Sequence, residues 1–91
     1  MAIYMVGYDL NKSGKNYEEL IKKIKELANG YWHHLDSTWL ILHVGTAATI
    51  RDALTPHIDD DDELLVVKLA KGDAAWHGFN QAGSKWLNDN L

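Results

Sequence analysis

Asp9 closes a run of largely apolar residues, Ala2-Ile3-Tyr4-Met5-Val6-Gly7-Tyr8. A carboxylate at the end of such a run sits at the rim of a sheet, where a hard cation such as Mg2+ or Mn2+ takes oxygen ligands and keeps several waters. One carboxylate per chain is too few, so a metal-binding role for Asp9 requires two copies to bring theirs together. The ordinary alternative is that Asp9 begins a turn, as Asp commonly does after a strand. Five histidines, His33, His34, His43, His57 and His77, are the other titratable candidates. His33 and His34 are adjacent on a predicted strand, point to opposite faces and do not chelate together. His34 and His43 are expected on one face with Trp32 and Trp39, a patch able to stack a base or nucleotide ring. Such a patch is more often core or dimer interface. The absence of cysteine excludes disulfides, thiolate metal sites and thiolate nucleophiles.

The elements that position these residues follow from periodicity. Residues 2–10 read as a strand apolar on both faces, with Ile3, Met5, Gly7 and Asp9 on one side and Tyr4, Val6, Tyr8 and Leu10 on the other, which suits the middle of a sheet. Residues 11–15 form a polar loop. Asn16 and Glu19 have the spacing of a capping box, opening a helix with Tyr17, Leu20, Ile21, Ile24, Leu27 and Ala28 on its inner stripe. Asn29-Gly30 ends it.

Residues 31–35 and 38–44 are predicted as two strands of a hairpin turned at Asp36-Ser37. That hairpin puts Trp32, His34, Trp39, Ile41 and His43 on one face and Tyr31, His33, Leu35, Leu40 and Leu42 on the other. Thr46 caps a second helix with Ile50, Ala53 and Leu54 inside, stopped by Pro56. The acidic run 59–63 has the charge to recruit a cation, but its ordinary reading is a solvated loop that discourages aggregation where the next strand starts. Residues 64–69 form a short apolar run taken as the last core strand.

The order strand, helix, strand, strand, helix, strand points to an α+β, ferredoxin-like βαββαβ sandwich over residues 1–70. Residues 71–91 form a polar C-terminal tail with anchors at Trp76, Phe79, Trp86 and Leu87, the last two on a short helix capped by Ser84. With both helices on one sheet face, the doubly apolar strands predict that the second face is buried by another copy, by the tail or by both. A homodimer through that face, with Trp76 and Trp86 helping to cover it, is the leading expectation.

The formal net charge of −4 argues against a protein whose nucleic-acid affinity comes from a broad basic face, though not against a small catalytic site. No apolar stretch approaches the length of a membrane span and the N-terminus lacks a basic leader, so a cytoplasmic protein without membrane contact is expected. Val6 to Ser13 ends in Lys12-Ser13 between a strand and a helix, but it lacks both glycines of a phosphate loop and carries Asp9 instead.

Tyr8-Asp9-Leu10 at the end of the first strand, the Ser37-Thr38-Trp39 step in the hairpin and the order of elements over residues 1–70 resemble the CRISPR-associated protein 2 family. Its relatives include virulence-associated protein D-type ribonucleases. The resemblance implies a homodimer in which the strand-end aspartates share a divalent metal for phosphodiester hydrolysis, although some members of the family are structural partners of the integrase. It implicates Asp9 as metal ligand and catalytic residue, with Ser37 beside it. The chain departs from the family in its basic cluster, reduced to Lys12 and Lys15, and in its aromatic tail. The expected function is therefore a homodimeric metal-dependent endonuclease acting on RNA or DNA. The alternative is a noncatalytic dimeric module that binds a protein or small nucleotide through its aromatic face.

Overall fold

The computed structural model describes residues 1–11 and 17–91. Lys12, Lys15 and the expected cap Asn16 lie outside the described residues. The order is β1 (Ala2–Asp9), α1 (Glu18–Leu27), β2 (Tyr31–Leu35), β3 (Thr38–His43), α2 (Ala47–Leu54), β4 (Glu63–Lys68) and α3 (Gln81–Asn90). The fold is a small α+β domain with one four-stranded sheet, ordered β2-β3-β1-β4 and antiparallel throughout.

β1 occupies the interior position that its two apolar faces demand. Tyr4 and Val6 point to the side covered by α1 and α2, where they pack with Leu20, Ile24, Trp39, Ile41, Ile50 and Leu54 in the main core. Complete burial of an aliphatic side chain there is worth about 1.5–3 kcal/mol, and this layer holds the sheet rigid beneath its rim. α1 buries Leu20 and Ile24, as its 3.6-residue stripe requires. α2 begins at Thr46, whose side chain accepts the Thr49 amide N–H at 3.2 Å. Its end differs from expectation. Thr55, the residue before Pro56, stays right-handed helical, and Thr55–His57 continue as one 3-10 turn in which proline takes an early position that needs no amide donor.

The hairpin departs from the predicted register in one place, with large consequences. Leu35 pairs with Thr38 across the Asp36-Ser37 turn as expected, but Trp32 pairs with Leu40 and Tyr31 with Ile41. One residue has been taken up in β2 between Trp32 and Leu35, a bulge, and a single-residue shift moves every side chain beyond it to the other face. The expected shared face of Trp32, His34, Trp39 and His43 does not form. Trp32 packs with Ile3, Leu40 and Leu87, whereas Trp39 lies in the main core.

The second sheet face is not bare. Trp76, Phe79, Trp86, Leu87 and Leu91 of the same chain pack there against Ile3, Trp32, Leu40 and Met5. The Trp32 indole N–H donates to the Gly83 carbonyl at 3.2 Å, tying α3 over β2. α3 starts earlier than the expected cap at Ser84, at Gln81 behind an Asn80 cap. The doubly apolar β1 therefore does not by itself require a second copy over that face. β4 is an edge strand rather than a core strand. Leu64 and Val66 pack toward the helices, while Leu65 and Val67 remain 57% and 37% exposed on the other side. No helix among the described residues is long and apolar enough to cross a membrane.

Candidate functional site at the rim of the sheet

The carboxyl end of β1, the hairpin turn and the start of β4 meet at one rim. Asp9, the last residue of β1, is exposed and pairs directly with Glu63, the first residue of β4. Directly paired residues of an antiparallel ladder present their side chains to the same face at about 4.5–5.5 Å between Cβ atoms. The sheet thus sets two carboxylates side by side within one chain. Both line a shallow hollow of about 290 Å³ with Gly7, Tyr8, Leu64 and Leu65. Two hard oxygen donors and an open approach suit Mg2+ or Mn2+, which bind through one or two carboxylates and retain water. Among the described residues no three His, Asp or Glu side chains converge to form a fuller cage.

Ser37 reaches the same rim through its main chain, its carbonyl accepting the Tyr8 N–H at 3.1 Å. The hairpin turn is thereby anchored one residue before Asp9, and no hydrogen bond joins the Ser37 and Asp9 side chains. Beneath the rim, the Trp39 indole N–H donates to the Tyr8 hydroxyl at 3.0 Å, which holds the end of β1 against the main core.

The acidic loop before β4 is more than a solvated run. The Asp62 carboxylate accepts the Asn11 N–H at 2.8 Å, the Asp59 N–H at 2.8 Å and the Tyr17 hydroxyl at 3.1 and 3.2 Å. Asn11 Nδ2 adds a bond to the Asp61 carbonyl at 2.6 Å. These contacts lock the segment after β1 to the segment before β4 and so hold Asp9 beside Glu63. Both acids were hidden in the sequence as members of a charge run. Only strand pairing singles out Glu63, and only the loop's closure singles out Asp62.

The expected aromatic ligand face is accounted for by packing. Trp39 is fully buried and Trp32 is 3% exposed, so neither offers a stacking surface. His43 Nδ1 lies 2.9 Å from the Leu27 carbonyl at the end of α1, and its ring stands edge-on to Tyr4. His34 contacts Trp32 and Phe79, with its ring against Gly83 of α3. His33, which was not grouped with the patch, stacks on Trp39 at 3.7 Å between ring centroids. No protein-family model matches the chain, and no solved structure matches it.

Proposed function

We propose that this ferredoxin-like domain acts as a homodimeric, metal-dependent nuclease-like protein on RNA or DNA, the activity implied by its resemblance to the CRISPR-associated protein 2 family, but with the metal held within each chain rather than shared between two strand-end aspartates. The observation that carries the reading is the direct pairing of Asp9 with Glu63, an arrangement that costs electrostatic energy unless a cation stands between the two. In this reading both carboxylates of one chain hold the ion, and the requirement for a second Asp9 is lifted. A bound Mg2+ or Mn2+ supplies a polarised phosphoryl oxygen and a more acidic water. The chain's own groups supply position: Asp9 and Glu63 fix the cation at the rim, Asp62 holds the two strand ends together, and the Ser37 carbonyl secures Tyr8. A cation there also offsets the acidic charge that otherwise repels a phosphodiester.

The second reading, a noncatalytic binding module, is favoured by the exposed apolar side chains Leu35, Leu65 and Val67. Cleavage of labelled single-stranded RNA and duplex DNA, with Mg2+, Mn2+ or chelator, separates the two. Asp9→Asn keeps the shape and removes the charge, so it is expected to abolish cleavage with fold and molecular mass unchanged. No cleavage of either substrate with any metal, or equal cleavage by the substituted protein, refutes the nuclease and leaves the binding module.

A further inference from the structure

The two edges of the sheet are defended very differently. β2 carries a bulge and the polar side chains of His33 and His34, features that discourage strand addition. β4 is a six-residue edge of sequence Glu-Leu-Leu-Val-Val-Lys in unbroken register with β1, without proline or bulge, and with Leu65 and Val67 exposed. Its free hydrogen-bonding groups can be assigned. The Leu69 N–H donates inward to the Ile3 carbonyl at 2.9 Å, so by alternation the main-chain groups of odd residues face β1. Those of Leu64, Val66 and Lys68 face outward.

We infer that the β4 edge is the surface through which a second copy of this chain pairs, antiparallel, about a two-fold axis at Val66, joining two sheets into one of eight strands. The inference supplies the interface for the dimer of the proposed function and does not depend on catalysis. Three features favour this occupant and this register. With the axis at Val66, Leu64 lies opposite the second copy's Lys68 and Val66 opposite its counterpart, so all the outward N–H and carbonyl groups of both strands are satisfied. Leu65 then faces Val67 of the other copy in a non-hydrogen-bonded pair, the closest side-chain spacing in an antiparallel ladder, bringing together the two exposed apolar residues of each strand. Charge is complementary in this direction only. β4 is acidic at its start, from Asp59 to Glu63, and basic at its end, with Lys68 and Lys71, so antiparallel pairing sets acid against base where parallel pairing would set like against like. From strand spacing and rise, the two Asp9 residues stand about 25 Å apart in this assembly, and each rim works alone.

The test is molecular mass by light scattering over serial dilution, with circular dichroism as the check on folding. Wild-type protein is expected to be a dimer. Leu65→Glu with Val67→Glu, at exposed positions, is expected to lose the dimer while remaining folded. Leu65→Lys with Val67→Glu places opposite charges across the pair and is expected to restore it. The chain lacks cysteine, so Leu65→Cys and Val67→Cys chains can be prepared separately. Oxidation is expected to crosslink their mixture and neither alone, because only this register brings the two positions within disulfide reach. A monomeric wild type, a dimer that survives the double-Glu substitution, or crosslinking of one variant by itself overturns the inference. A monomeric wild type also removes the dimer from the proposed function, but none of these outcomes touches catalysis at the rim, which the Asp9→Asn cleavage assay decides.

Discussion

Glu63→Gln is the substitution for which the structure predicts opposite effects with and without a divalent cation. Asp9 and Glu63 are directly paired and exposed, so in chelator the variant loses only a like-charge contact. Cross-strand charge pairs are worth roughly 0.2–1 kcal/mol, and solvent exposure holds this one to the lower half, about 0.2–0.5 kcal/mol. For a domain of this size the corresponding rise in Tm is about 1–4 °C. The gain should fade in 1 M salt, where the screening length falls to about 3 Å. If the two carboxylates hold Mg2+ or Mn2+, the ranking reverses on adding metal. An ion at a hundred times its Kd stabilises the wild type by about 2.7 kcal/mol, well above the repulsion it relieves, while the variant has lost one ligand and gains less. The assay is thermal unfolding at low and high salt with chelator, Mg2+ or Mn2+. Equal melting of the two proteins in chelator at low salt refutes the facing of the carboxylates, and an equal rise of both with metal refutes the rim as the site of binding.

Further substitutions examine the loop that supports the site and the seat of α3 on β2. Asp62→Ala removes the acceptor for two main-chain amides and the Tyr17 hydroxyl, and urea unfolding is expected to show a loss of about 2 kcal/mol, as for hydrogen bonds to a charged group. The same variant should lose any metal-dependent rise in Tm, because the two strand ends are no longer held together. A Cβ at Gly83 would lie 3.2–3.3 Å from three atoms of the His34 ring, so Gly83→Ala is expected to destabilise the wild type. In a His34→Ala background the same change should stabilise by up to about 1 kcal/mol, the helix preference of Ala over Gly, and a double-mutant cycle measures the difference.

The alternation of β1, the helical stripe of α1 and the Thr46 cap of α2 were legible without coordinates because each depends on neighbours within a few residues. Asp9 was legible for the same reason, as the first charge after an apolar run. The bulge in β2 was not. Nothing in Tyr31-Trp32-His33-His34-Leu35 marks the residue that slips, yet that slip separates Trp32 and His34 from Trp39 and His43 and dissolves the candidate stacking face. The edge position of β4 was hidden too, since Leu64 to Leu69 is as apolar as a buried strand and only the sheet order leaves one side unpaired. Glu63 and Asp62 show the division most plainly. In the sequence they are two acids in a run of five, equivalent by composition. In the fold one faces Asp9 across the ladder and the other gathers three donors from β1's exit, the α1 entry and its own loop. Local periodicity determines which residues form a strand or helix, because its causes lie within one turn or one pleat. Which strands pair, in what register, and which carboxylates therefore meet depends on contacts about fifty residues apart in the chain, and those are decided by the packing of the whole domain.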